Sequence, residues 1–257
     1  LGRRLHHKVV VADARIAMVA GVNISNRYND LPGAPGWLDW AICVEGDAAR
    51  QLDSVCVKTW NRAVFKENCK AVNVPIQVFP VAGQCSVRVR RNDWVYKKTQ
   101  ISKTYRELFN NAKSDVILMT SYFWPPWKLL RCMAAATARN VRVRLILTGK
   151  ADVPLAKYAE RYLYRWLFRN KIEVYEYQSN TLHGKVAVAD ATFVTIGSYN
   201  VNNISAYASV ELNLDIKDEN TGAGLQAKLL DIIENDCVKI NKDQFWVSEN
   251  VVRKFLY

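Results

Sequence analysis

No apolar run in this sequence reaches the roughly 18 residues that a membrane-spanning helix needs. Charges such as Asp13 and Arg15 interrupt each candidate, and the residues given carry no signal-peptide pattern. Acidic side chains are also in short supply: 24 Asp and Glu against 36 Lys and Arg leave a net charge of +12 and a pI near 9.4. That balance favours anionic partners, either acidic lipid head groups or nucleic acid, and charge alone does not choose between them. The six cysteines (Cys43, Cys56, Cys69, Cys85, Cys132 and Cys237) include no Cys-x-x-Cys pair and have no histidine at metal-ligand spacing. This argues against a disulfide framework and a zinc site, and it predicts buried thiols in a reducing compartment. Histidine is rarest among the reactive residue types, with 3 in 257 residues.

Half of the residues are apolar, enough to bury one large core or two modest ones. The three histidines are not scattered. Residues 6–23, HHKVVVADARIAMVAGVN, overlay residues 183–200, HGKVAVADATFVTIGSYN, with 8 identities in 18 positions and no gap. Both copies contain His-x-Lys-x4-Asp, at His6/Lys8/Asp13 and at His183/Lys185/Asp190, and both close on an asparagine, Asn23 and Asn200. Duplication at this separation points to two halves of similar fold rather than a short solenoid repeat.

The second half alternates strand and helix. Strands are predicted at 115–123, 141–147, 172–177 and 185–189, and helices at about 128–138 and 155–168, an α/β pattern. In the second of these helices Leu155, Tyr158, Ala159, Tyr162, Leu163 and Trp166 recur at helical spacing and are expected to pack on the sheet, with Lys157, Glu160, Arg161 and Arg165 elsewhere. Further amphipathic helices are expected at 46–66, with Ala49, Leu52, Cys56 and Trp60 aligned, and at 225–236, with Leu225, Leu229, Ile232 and Ile233 aligned. Residues 71–84 hold Pro75, Pro80 and Gly83 with no sustained period and are expected to link a first unit, 1–70, to a second, 85–257. More than 80 residues precede the second motif within its half and only five precede the first, which predicts a truncated first half.

On a strand, residues i and i+2 share a face, so each motif sets an imidazole beside an ammonium, with His7 and Gly184 pointing away. One imidazole can attack phosphorus and a second can protonate the leaving alkoxide, while cations and amides hold the charge on the non-bridging oxygens. Asn23 and Asn200, each after a strand and a tight turn, are candidate donors to those oxygens. A nucleophilic imidazole needs one nitrogen free, which a carboxylate on the other nitrogen secures. Asp39 and Glu211, 33 and 28 residues beyond His6 and His183, are the candidates.

These motifs resemble the phospholipase D superfamily, whose signature is H-x-K-x4-D followed by a Gly/Ser-rich turn and Asn, twice in one chain. Within it the chain is most similar to the bacterial cardiolipin synthases, through AGVNISNRYND with a following WLDW, through TSYFWPPWKLL, and through LHGKVAVAD with GSYNVNNIS and VELN. The resemblance implies an α/β fold of two similar halves, each a mixed sheet flanked by helices, with the active site between them. It also implies transfer of a phosphatidyl group, from phosphatidylglycerol to make cardiolipin, through a phosphohistidine and without metal or other cofactor. His6 would be the nucleophile and His183 the acid and base. The motif lysines and asparagines would bind phosphate, Asp39 and Glu211 would orient the histidines, and Asp13 and Asp190 would be structural.

The expected partner is an anionic phospholipid at the bacterial cytoplasmic membrane, bound peripherally or through an anchor outside this chain. Nucleic acid is disfavoured, and one chain suffices for the site. The alternatives are a phospholipase D hydrolase, a nuclease of the same superfamily, and a non-catalytic lipid-binding module should the truncation be real. Tyr122, Phe123, Trp124 and Trp127 suit either a core or contact with acyl chains.

Overall fold

The computed structural model describes residues 4–63 and 85–242, so the linker expected at 71–84 lies outside the described residues. In chain order the elements are β1 (Arg4–Leu5), β2 (Lys8–Ala12), β3 (Ile16–Ala20), β4 (Ala41–Glu45), α1 (Asp47–Ala63), β5 (Ser86–Asp93), β6 (Lys98–Thr99) and α2 (Gln100–Asn111). There follow β7 (Asp115–Thr120), α3 (Trp127–Ala138), β8 (Arg142–Thr148), α4 (Pro154–Arg169), β9 (Glu173–Tyr177), β10 (Lys185–Ala189), β11 (Phe193–Gly197), α5 (Asn203–Tyr207), β12 (Ser209–Lys217), α6 (Glu219–Asp236) and β13 (Cys237–Lys239).

Ten strands form one mixed sheet in the order β13-β9-β8-β7-β10-β11-β12-β5-β6, with β1 added beside β12. The β7-α3-β8-α4-β9 run is parallel, as strands joined by helical crossovers must be, and its strands are buried on both faces, which is why DVILMT and RVRLILT carry near-continuous apolar runs. Helices α2, α3 and α4 cover one face, where Tyr105, Phe109, Met133, Tyr164 and Leu167 pack on Leu118 and Leu145. The other face, with Ile117, Met119, Val186 and Leu214, receives Leu229 of α6, Leu52 of α1 and Val19 of β3. Strands β2-β3-β4 form a separate antiparallel sheet that reaches the core through β3. The two copies of the motif therefore sit in different sheets. No described helix is long and apolar enough to cross a membrane.

Three expectations about packing need correction. The stripe of α4 expected to face the sheet does so only in part: Leu163 and Trp166 pack on the core, but Leu155, Tyr158 and Tyr162 are 78%, 72% and 78% exposed, whereas Glu160, Tyr164 and Leu167 are buried. The reason is an ion cluster that satisfies its own charges. Lys157 Nζ donates to Glu160 Oε1 (2.7 Å) and to the carbonyl of Thr148 (2.5 Å), and it lies 2.8 Å from Glu176 Oε1. Arg161 caps Glu176 from outside at 3.1 Å. A paired and hydrogen-bonded charge can be buried where a lone one cannot, so apolar periodicity misplaced the three residues that face outward. In α1, Ala49 and Leu52 are buried as expected, but the inward stripe continues through Val55 while Cys56 is half-buried and Trp60 exposed. Nor are the described cysteines fully buried: Cys43 and Cys85 are exposed and Cys56, Cys132 and Cys237 half-buried, all as free thiols. Cys43 sits on the outward-alternating face of β4.

Candidate active site

The repeat in sequence is a repeat in backbone. The β2–β3 hairpin turns through Asp13 and Ala14 (φ 52° and 50°) and the β10–β11 hairpin through Asp190 and Ala191 (φ 51° and 54°), the doubly left-handed turn that suits the twist of paired strands. The Asp190 carboxylate also accepts from the backbone N–H groups of Lys113, Ser114 and Asp115 and from the Ser114 hydroxyl, which ties the hairpin to the start of β7. These amides hold it below the ordinary carboxylate range despite the partial burial that works the other way. Asp13 is exposed.

The candidate carboxylates occupy equivalent places although their sequence spacings differ. Ile16 pairs with Glu45 and its counterpart Phe193 pairs with Lys217. Counting back six residues along each partner strand reaches Asp39 in one case and Glu211 in the other. Gly21 N–H donates to the Trp40 carbonyl and Ser198 N–H to the Leu212 carbonyl, each at 3.0 Å, at matched positions. The extra five residues before Asp39 are taken up by the loop between β3 and β4.

Equivalent backbone bonds then cross between the copies. His183 N–H donates to the Leu38 carbonyl (2.7 Å) and His6 N–H to the Val210 carbonyl (3.0 Å), the residues just before Asp39 and Glu211. The side chains follow: His183 Nδ1 lies 2.6 Å from Asp39 Oδ2, and His6 Nδ1 lies 2.9 Å from Glu211 Oε2. Each motif's carboxylate thus serves the histidine of the other motif, a pairing that spacing along the chain does not reveal. Both carboxylates are fully or almost fully buried. Glu211 also accepts from Ser198 Oγ at 2.5 Å, and Asp39 Oδ1 accepts from the Trp40 N–H at 2.8 Å.

Both motif lysines fold back onto their own histidine's backbone: Lys8 Nζ donates to the His6 carbonyl at 2.7 Å, and Lys185 Nζ to that of His183. Lys185 is wholly buried, 3.8 Å from Asp39, and burial pushes its ammonium down to about 8. Lys8 is lowered for the same reason, opposed by Glu211 and Asp39. Burial also pushes the His183 imidazole below its ordinary value, against the opposing hydrogen bond with Asp39. His7 belongs to a different environment, where burial and the Arg91 charge push it down to about 4.

The asparagines differ. Asn200 is buried just after β11, and its side-chain oxygen has no hydrogen-bond partner among the described residues. Asn23 is exposed, and its Nδ2 donates to Tyr28 Oη at 3.0 Å. Tyr28 is a site residue that the sequence reading missed: its hydroxyl lies 3.0 Å from His183 Nδ1, and its ring packs edge-on to that imidazole at 5.7 Å between centroids. Trp37 flanks the same ring at 5.9 Å. Both come from the β3–β4 loop, and their signal was present as aromatic residues in a loop between a motif asparagine and a candidate carboxylate. The arrangement unites two imidazoles, each with one nitrogen held by a carboxylate, and two ammonium groups, a set suited to a tetrahedral anion. Among the described residues no three His, Cys, Asp or Glu side chains gather as a metal site would require.

Residues 105–235, just over half of the chain, match the family described as cardiolipin synthase, PLD-like domain. This chain belongs to that family. Cardiolipin synthase B of Salmonella typhi is 33% identical over 250 residues, 93% of this chain and 58% of the relative, so the chain spans somewhat over half the length of such relatives. Phosphatidylserine synthase of Haemophilus influenzae has a similar structure over 92% of this chain and 63% of its own, with a TM-score of 0.72 at 15% identity. The phospholipase D family member Nuc of Salmonella typhimurium matches over 62% of this chain and all of its own, with a TM-score of 0.52 at 17% identity. At such identities the likeness is one of fold. The cardiolipin synthase, PLD-like match holds Lys185, His183, Asn200 and Glu211, while His6, Lys8, Asn23 and Asp39 stand outside it and are joined to it by the crossed hydrogen bonds.

Proposed function

We propose that this chain carries the catalytic centre of a phosphatidyltransferase of the cardiolipin synthase type. The observation that supports it is the crossed pairing of His6 with Glu211 and His183 with Asp39, which gives each imidazole one nitrogen fixed by a buried carboxylate and the other free for phosphorus or for a leaving oxygen.

In the first step a neutral imidazole nitrogen attacks the phosphorus of phosphatidylglycerol. The bond from phosphorus to the glycerol oxygen breaks, and the second histidine delivers a proton to that oxygen so that glycerol leaves. In the second step the hydroxyl of another phosphatidylglycerol gives its proton back to that histidine and attacks phosphorus, the N–P bond breaks, and cardiolipin departs. Lys8, Lys185, Asn23 and Asn200 hold the non-bridging oxygens, where charge grows in both transition states. Asp39 and Glu211 set the tautomers, and Asp190 braces the second hairpin as Asp13 turns the first.

The resemblance gives His6 the attack and His183 the proton transfer. Burial lowers the pKa of His183, which widens the pH range over which that ring is neutral in the free protein. Trapping the phosphatidyl adduct separates the two, since the histidine that carries it is the nucleophile. Both histidines come from one chain, so a monomer contains the site, and its substrate places it at the bacterial cytoplasmic membrane.

The test is incubation of this chain with labelled phosphatidylglycerol in mixed micelles, with products separated by chromatography. Cardiolipin and glycerol, absent with His6→Ala and His183→Ala, are the expected outcome. Phosphatidic acid alone makes the protein a hydrolase, and cleavage of oligonucleotides without lipid turnover overturns the lipid reading.

A further inference from the structure

The face of α4 that turns away from the core is apolar where a solvated helix would be polar. Leu155, Tyr158 and Tyr162 follow one another at steps of three and four, so they form a single stripe about 10 Å long. The stripe sits at the catalytic end of the sheet. Lys157 in the same turns reaches the carbonyl of Thr148, the last residue of β8, and Tyr164 reaches Glu176 near the end of β9. The loop before α4 is tied to the site by Tyr122, whose hydroxyl donates to Asp152 at 2.7 Å, and Asp152 contributes to the field at Lys185.

A second group of aromatics continues the same rim. Trp127, 60% exposed, packs edge-on against Trp166 one turn beyond Tyr162, with ring centroids 5.9 Å apart. Trp124, also exposed, is fixed by its N–H to the carbonyl of Val201, the residue after Asn200. Phe123 between them is buried, so the SYFWPPW segment divides into one core residue and two outward tryptophans. Lys128 and Arg131 on α3, within one turn of Trp127, are exposed.

We infer that this rim, the α4 stripe with Trp124 and Trp127, is the surface that seats the protein on an anionic bilayer with the catalytic mouth facing the lipid. Tryptophan and tyrosine favour the head-group zone, leucine the acyl boundary, and basic residues among them meet anionic head groups, in keeping with the chain's charge of +12. The inference rests on the phosphatidyltransferase reading only for the direction of the mouth, and its test does not use turnover.

Sedimentation of this chain with vesicles of equal parts phosphatidylglycerol and phosphatidylcholine, against vesicles of phosphatidylcholine alone, measures binding directly. The triple variant Leu155→Ser/Tyr158→Ser/Tyr162→Ser is expected to lose at least roughly tenfold in affinity for the anionic vesicles, while Trp60→Ser and Val238→Ser, at other exposed apolar positions, keep it. A triple variant that binds as the parent chain does, or a chain that ignores anionic vesicles or dimerises through this face instead, overturns the inference. A second measurement does not depend on the triple variant folding: brominated acyl chains should quench tryptophan fluorescence of the unaltered chain, and Trp124→Phe/Trp127→Phe should remove most of that quenching. Quenching unchanged in the double variant overturns it. Turnover of a monomeric short-chain phosphatidylglycerol should survive in the triple variant, and failure of that turnover in the unaltered chain would count against the catalytic reading alone.

Discussion

Replacing Asp39 by Asn keeps the shape of the buried side chain and removes its charge. The lost interaction is a 2.6 Å charge-assisted contact with His183 at an almost fully buried carboxylate, together with a 3.8 Å attraction to the buried Lys185. Hydrogen bonds to a charged group contribute about 1.5–3 kcal/mol, and more where water is excluded. Taking about 3 kcal/mol as the share expressed in the transition state gives a loss of roughly 150-fold in kcat. The pH signature follows from the same contact. Asp39 raises the pKa of His183 against burial, so Asp39→Asn should push that pKa further down, and the range over which His183 is protonated should recede toward acid. The assay pairs steady-state rates with nitrogen NMR of the imidazoles, which is tractable with three histidines in the chain. The crossed pairing requires that Asp39→Asn shift the His183 resonances and leave those of His6 in place, with Glu211→Gln doing the opposite. Movement of His6 and not His183 in Asp39→Asn would refute it.

Lys185 should set an alkaline limit: as pH rises through about 8 the free protein loses this ammonium, and kcat/KM should fall with it, a limb that a pH-rate profile would show as missing in Lys185→Met, whose residual rate is low throughout. Lys157→Met leaves Glu160 buried without its cation, while Glu176 keeps Arg161, and should cost about 3 kcal/mol by urea denaturation near neutral pH. Because burial already raises the pKa of Glu160, that group favours the fold below the ordinary carboxylate range and ceases to do so as pH rises through its raised value, so the variant's deficit should shrink on acidification. Gly21→Ala would place a methyl 2.3 Å from Asp39 Oδ1, displacing the carboxylate, and should lower both activity and melting temperature. Gly224→Ala in α6 meets nothing within 4 Å and should raise stability by about 1 kcal/mol in the same melts.

The candidate site was legible because it is carried by a repeat. His6, Lys8 and Asn23 with His183, Lys185 and Asn200 announce themselves by matched spacing, and the central strands by apolar runs too dense for any exposed element. What spacing hid was the crossing. Asp39 and Glu211 lie after their own motifs in sequence, but the parallel pairing of Leu5 with Val210 and of Leu38 with Leu182 brings each to the other's histidine, a tertiary fact with no local trace. The orientation of α4 was lost in part, for a different reason. Periodicity weighs each side chain alone, whereas Lys157, Glu160 and Glu176 are buried as a neutralised group, and the apolar residues they displace are free to face outward.

The central claim is that phosphorus passes through one of the two crossed histidines. Rapid quenching of the protein with phosphate-labelled phosphatidylglycerol, followed by peptide mass mapping, tests it most directly. An acid-labile phosphatidyl adduct on His6 or His183, formed and consumed at the rate of turnover and absent from the matching alanine variant, is the predicted result. Full turnover with no adduct on either histidine would contradict it.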